Sequence, residues 1–266
     1  MRVHRTAAIV LRQLYLIRGS LSRVLPLFAW VTVDMVLWGF ITKYLDMLTH
    51  GFNFVQILLG AVLLWDFFVR VMQGVTIAFF EDVWSRNFLN IFASPLSLWE
   101  YLAGLIITGI GTSSVGLLVM LAVATMVFGL SFFIYGLLLL PFLLVLFMFG
   151  MALGIFASGV VLRFGPASEW FIWPVPALIS PFVGVFYPIS TLPQWMQYFS
   201  YVLPPTYVFE GMRAILAGGE VRSGALLWSG FLAVLYVLGA CRFFVSIYKH
   251  AVRTGLITRY SAETLA

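Results

Sequence analysis

Long apolar runs separated by short basic links set the tightest limit on this chain. They cover Val24–Ile41, Phe54–Phe80, Tyr101–Phe128, Phe132–Val161, Trp170–Phe186 and Leu226–Ile247. A helix crosses the hydrocarbon core of a bilayer in about 20 apolar residues, with a working range of about 17–25. The pattern therefore predicts an all-α polytopic membrane protein with six transmembrane helices. The second, third and fourth runs exceed the range, so their helices tilt or extend past the bilayer. The fifth is short and carries Pro174, Pro176 and Pro181, each of which removes a backbone donor, so a kinked or broken helix is expected. Composition agrees. Hydrophobic residues make up 62% of the 266 and charged residues 9%, against roughly 45–50% and 25% in a soluble domain. That excludes an ordinary cytosolic enzyme, a disordered chain and a disulfide-stapled secreted domain. Cys241 is the one cysteine, so neither an internal disulfide nor a cysteine metal cluster can form.

Basic residues set the expected orientation. With the N-terminus cytoplasmic, Arg2, Arg5, Arg12, Arg18, Arg23, Arg86, Arg163, Arg242, Lys249, Arg253 and Arg259 lie inside. Lys43, Arg213 and Arg222 lie outside, and Arg70 falls within a span. Eleven against three is a strong positive-inside pattern and places both termini in the cytoplasm. The net charge of +5 is thus read as topology, and nucleic acid is not an expected partner. Residues 1–23 carry five arginines and no acid. On a helical wheel Arg2, Arg5, Arg12, Gln13 and Arg23 share one arc; Val10, Leu11, Leu14 and Ile17 fall largely opposite, with Arg18 an exception. A cationic amphipathic helix on the inner membrane surface is expected, with membrane lipid as a partner. The long basic stretch without a small-residue cleavage site does not fit a signal peptide, whereas an Arg-rich matrix-targeting presequence is an alternative.

Catalytic constellations are missing. A P-loop needs Gly-Lys-Ser/Thr, but the lysines Lys43 and Lys249 follow Thr42 and Tyr248. His4, His50 and His250 are scattered, and neither His-Glu-x-x-His nor Gly-x-Ser-x-Gly occurs. No metal site and no catalytic residue is expected. Gly109, Gly111 and Gly116 resemble a dinucleotide fingerprint only loosely; in an apolar run they fit close helix packing. Gly150, Gly154 and Ser158 form a small-residue stripe suited to internal packing, with a subunit interface as the alternative. Asp34, Asp66 and Arg70 are charges inside spans, which are costly there. Asp66 and Arg70 sit four apart and can pair on one helix face. They read as a structural pair that fixes packing, or as an ion relay in a standalone ion-coupled secondary transporter. An intramembrane enzyme lacks a nucleophile constellation.

Two links carry a signature. The first is the cytoplasmic loop 81–100. Asp82 and Ser85 could open a short helix there and Pro95 would end it. Phe88, Leu89 and Phe92 would share an apolar face, with Trp84, Arg86, Asn87, Asn90 and Ser94 nearby, so the helix needs the bilayer surface or a partner to cover it. The second is the segment 187–222, rich in prolines and aromatics: Tyr187-Pro188, Leu192-Pro193, Pro204 to Tyr207, then Glu210 and Arg213. Prolines end the fifth run and start short helices, and Glu210 can pair with Arg213 three residues on. Two short re-entrant helices forming an apolar cap fit better than an ordinary loop.

These segments, in this order, resemble the permease subunit of ABC-2-type exporters. The resemblance spans 1–266 as a single transmembrane domain, although Pro205 adds a second proline and the cap is unusually aromatic. It implies a second copy of the chain, two separate ATP-binding subunits that carry ATP and Mg, and a bacterial inner membrane. The Trp84–Pro95 segment would be the coupling helix, the Arg-rich helix the interfacial element, and Pro188–Arg213 the re-entrant pair closing the exit. The cargo implied is amphipathic: a drug, a lipid or a lipid-linked polysaccharide.

Overall fold

The computed structural model describes residues 2–48, 55–85 and 87–255. Every element among them is helical. In chain order they are α1 (Val3–Arg18), α2 (Leu21–Leu48), α3 (Gly60–Trp84), α4 (Phe88–Ala93), α5 (Leu98–Phe128), α6 (Leu139–Phe164), α7 (Val175–Val183), α8 (Gln194–Ser200), α9 (Pro204–Leu216) and α10 (Ser223–Thr254). Short 3-10 or π turns precede α3, α6 and α7.

Among the described residues, five helices are long and apolar enough to cross a bilayer: Arg23–Leu48, Val55–Trp84, Leu98–Phe128, Phe132–Phe164 and Ser223–Thr254. The fifth run expected from the sequence, Trp170–Phe186, is not one continuous helix. It is a 3-10 turn over Pro166–Phe171 followed by the nine residues of α7. At 1.5 Å per residue α7 is about 14 Å long, half of a core about 30 Å thick. The prolines account for the break. Pro174 caps α7, Pro176 stands in its first turn and Pro181 lies inside it.

α3 forms the centre, with most of its length buried from Gly60 to Val83. α6 runs parallel to it: the Phe68 and Phe149 rings stack at 5.6 Å, and Gly150 and Gly154 lie against Phe68 to Val75. A Cβ on Gly150 would stand 2.8 Å from the Phe68 carbonyl oxygen, and one on Gly154 would stand 2.8 Å from that of Met72. The small-residue stripe thus serves internal packing. α5 is antiparallel to α3, with Tyr101 beside Asp82 and Gly116 beside Arg70. Gly109 meets Gly74 at that crossing, which settles its role as packing.

α10 runs parallel to α6. Phe149 faces Tyr236 at 5.0 Å and, further along both helices, Phe156 faces Phe243 at 4.9 Å. Two parallel helices in succession require the chain between them to return to its starting end. The segment that does so begins where Glu169 accepts a hydrogen bond from Trp84 Nε1 at 3.1 Å. It ends where Phe186 stacks on Trp38 at 5.2 Å.

Candidate functional site

Charged side chains gather at the end of the bundle where α3 finishes and α5 starts. α3 closes with Glu81 and Asp82, and α5 opens with a capping box between Ser97 and Glu100. All three carboxylates are answered by the N-terminal segment. Arg12 pairs with Asp82, whose other oxygen accepts from the Tyr101 hydroxyl at 2.7 Å. Arg23 grips Glu81 with two donors, each at 2.8 Å. The Arg2 backbone N–H donates to Glu100 at 2.7 Å, and Arg5 lies 3.7 Å from the same carboxylate. Gln13 donates to the Ala78 carbonyl at 3.1 Å.

The basic arc of α1 therefore faces the protein, while Leu11 and Leu14 are exposed. The helix is amphipathic as expected, but its cations turn to the carboxylates at the ends of α3 and α5, with which they form charge-assisted hydrogen bonds. Asp82 does not open a new helix. It sits on the last turn of α3, where a carboxylate opposes the helix dipole and Arg12 offsets that cost. Sequence reasoning missed this network. The readable signal was the pairing of an acid-free, arginine-rich start with the three acids that flank the first link.

The link itself is shorter in structure than expected. Trp84 is the last residue of α3, and six residues, Phe88–Ala93, make α4. Arg86 lies outside the described residues. The backbone of Phe88, Leu89 and Phe92 is helical, and their side chains lie outside the described set. Asn87 caps the start of α4 by position, and its side-chain oxygen accepts from Asn90 at 3.1 Å. Ser94 and Pro95 end the helix at the surface, with Ser94 donating back to the Ile91 carbonyl. The Pro95 carbonyl accepts from Arg5, which ties α4 to α1.

At the opposite end, Glu210 and Arg213 pair at 2.8 Å, as their spacing predicts. They also clamp the turn after α7: Glu210 accepts from the Ile189 N–H at 2.9 Å, and Arg213 donates to the Val185 carbonyl. Tyr187 donates to the Pro181 carbonyl and Tyr207 to that of Tyr201, each at 2.8 Å. Pro188 precedes a short 3-10 turn that ends at Leu192, and Pro193 caps α8. Pro204 and Pro205 occupy the first turn of α9, where a missing N–H costs little. The prolines and tyrosines read from the sequence thus come together in one folded cap.

Midway along the bundle, Asp34 of α2 lies close to Asp66 of α3, and Arg70 lies within electrostatic reach of both. The direct Asp66–Arg70 ion pair expected from the four-residue spacing is not among the ion pairs of the described residues. Asp66 Oδ2 and Arg70 Nε are both buried without a hydrogen-bond partner.

Five apolar spans, a basic helix clamped at one end and a proline-built cap at the other define a multi-pass helical membrane protein. Residues 8–217 match the family model described as ABC-2 type transporter, and the chain belongs to that family. The match runs from within α1 to the end of α9 and includes Arg12, Arg23 and the three carboxylates at one end and the Glu210–Arg213 clamp at the other. No curated protein is significantly similar to the chain. Membership makes the chain a transport permease domain, of a kind that works with ATP-binding partners, and does not favour the standalone ion-coupled carrier.

Proposed function

We propose that this chain is the membrane-spanning subunit of an ATP-driven exporter. Two copies form the pathway, and two separate ATP-binding subunits dock at the arginine-rich end and supply the ATP and Mg chemistry. The observation that carries this reading is the family match over residues 8–217, which encloses α4 and the Arg12–Asp82 pair beside it. α4 is the element that seats in the ATPase. Because Arg5 holds the Pro95 carbonyl and Arg12 holds Asp82, a displacement of α4 is passed to α1 and to the adjoining ends of α3 and α5. Such coupling tilts rigid helices about an interface. The Glu210–Arg213 clamp fixes α9 to the turn after α7, and α8 and α9 are the re-entrant pair that closes the exit. The cargo is amphipathic: a drug, a lipid or a lipid-linked polysaccharide, each of which suits aromatic-lined surfaces.

Six crossings belong to the same reading, with the broken segment between α6 and α10 as the fifth. The parallel run of α6 and α10 supports this count. It puts both termini in the cytoplasm of a bacterial inner membrane. Single cysteines at Val3, Ser223 and Thr254, in a Cys241→Ala background, are the check. Membrane-impermeant maleimide is expected to reach Ser223→Cys from outside, and Val3→Cys and Thr254→Cys only from inside. Termini labelled from opposite sides would refute the even count.

The docking role is tested by Phe88→Asp. A charge placed in an apolar seat is expected to reduce co-purification with the ATP-binding subunit by about tenfold or more, since burying an unpaired polar group costs about 1–3 kcal/mol. Bilayer insertion of the chain should not change. Undiminished association would count against α4 as the docking element.

A further inference from the structure

The broken segment between α6 and α10 is held to the bundle mainly at its two ends. Within α7 the buried residues are Pro176 and Val183, and Leu178 is 67% exposed. A glycine with positive φ stands on each side of the segment: Gly165 at +95°, where α6 ends, and Gly184 at +67°, where α7 ends. A Cβ at Gly184 would also stand 2.7 Å from Ile189 Cδ1 and 2.9 Å from the Tyr187 carbonyl oxygen, so that corner requires glycine. Residues 166–183 thus form a short rod between two glycine corners.

Each end of the rod is fastened to a different part of the molecule. At the arginine-rich end, Glu169 accepts from Trp84 Nε1 at 3.1 Å. Phe80 packs against Trp84 at 5.6 Å and meets Trp173 edge-on at 6.4 Å. Trp84 is the last residue of α3, and α4 begins at Phe88. The indole therefore stands between the docking element and the rod. At the other end, Phe186 stacks on Trp38, Arg213 donates to the Val185 carbonyl and Glu210 accepts from the Ile189 N–H. Beside the aromatic seam lies a cavity of ≈ 310 Å³, bounded by Leu16, Ile77, Trp84 and Trp173 and running to Arg70. A close-packed interior resists displacement; this opening leaves the rod room to swing. The bond to Glu169 is directional as well, because an indole N–H can only donate and a carboxylate makes the bond charge-assisted.

We propose that the Trp84–Glu169 bond is a coupling strut. It passes a displacement of α4 and the end of α3 to residues 166–183, which carry it to the cap. Trp84 and Glu169 are positioning residues in this scheme. The proposal rests on the exporter reading and adds a route to the exit that is separate from the Arg5 and Arg12 ties to α1.

Two measurements of hydrogen exchange test it, both on the full chain in phosphatidylcholine nanodiscs. In the chain alone, residues 168–173 report on the strut, since the Ile172 and Trp173 N–H groups bond to the Glu169 carbonyl. Trp84→Phe and Glu169→Ala should each speed exchange there about tenfold, the effect of losing one hydrogen bond to a charged group. Combining them should add little, because both remove the same bond. Glu169→Gln keeps an acceptor and should restore most of the protection. In the complex with the ATP-binding subunit, exchange of α7 should differ between the nucleotide-free and ADP–vanadate-trapped states. Glu169→Ala should remove most of that difference while co-purification and ATP hydrolysis persist, and Glu169→Gln should retain it. Exchange over 168–173 that ignores both substitutions would overturn the strut. So would a nucleotide response of α7 that is absent from wild type or undiminished in Glu169→Ala. A subunit that does not bind at all would refute the exporter reading and the strut together, whereas loss of the strut alone leaves that reading standing.

Discussion

Arg12→Ala is expected to release α1 from the bundle and to destabilise the chain by about 3 kcal/mol. Asp82 has no exposed side-chain surface, and its ionic partner is Arg12. Removing one member of a buried pair strands the other charge in a low-dielectric site, at a cost of about 3–5 kcal/mol. The lower figure applies because the Arg12 side chain keeps 25% of its exposure and the Tyr101 hydroxyl still donates to the carboxylate. Hydrogen exchange of the α1 amides should accelerate by about two powers of ten, one for each 1.4 kcal/mol. Asp82→Asn removes the charge that Arg12 answers while keeping an acceptor for Tyr101. Combining the two substitutions should therefore cost less than the sum of the single losses. Additive losses, or α1 exchange unchanged in Arg12→Ala, would show that the pair does not hold the helix.

Gly154→Leu should be the most damaging substitution among the span glycines. A Cβ at this position would stand 2.8 Å from the Met72 carbonyl oxygen and 2.8 Å from Val75 Cβ. The first contact is backbone, so a rotamer change cannot relieve it and α6 must move away from α3. Overpacking a close-packed core typically costs about 1–3 kcal/mol, and Leu adds a whole side chain here, so the upper end is expected. Thermal melting in detergent should fall by several degrees or the protein should fail to accumulate. Gly239→Leu is the control, because a Cβ there meets nothing within 4 Å. Equal melting of the two variants would contradict the packing described for α3 and α6.

Much of the architecture was legible because lipid imposes a simple rule. Backbone groups cannot go unpaired in hydrocarbon, so each long apolar run had to become a helix. The helices of the first and sixth runs extend past both predicted ends, that of the third starts three residues early, and those of the second and fourth run on past Phe80 and Val161 after opening in a π or 3-10 turn. Trp170–Phe186 was flagged by its prolines, yet where it would break was not. Local sequence shows that a helix is interrupted, whereas the position of Phe186 against Trp38 depends on a helix more than a hundred residues away.

The candidate sites divide in the same manner. The Glu210–Arg213 pair was readable because both residues lie on one helix at a spacing that brings them together. The Asp66–Arg70 pair met the same spacing rule and did not close: Asp66 Oδ2 and Arg70 Nε are both buried without a partner, with Asp34 of α2 close to both residues. Arg12 and Asp82 are 70 positions apart, and no periodicity links them.

The order of apolar runs, the positive-inside charge bias and the proline punctuation follow from local chain chemistry, and the sequence alone determined them. Which carboxylate each arginine answers, which way α1 turns its cations, and the cavity left beneath Arg70 were decided by tertiary structure. The physical reason is range: apolarity and backbone preference act within a few residues, whereas a buried charge is satisfied by whatever partner packing brings within about 4 Å.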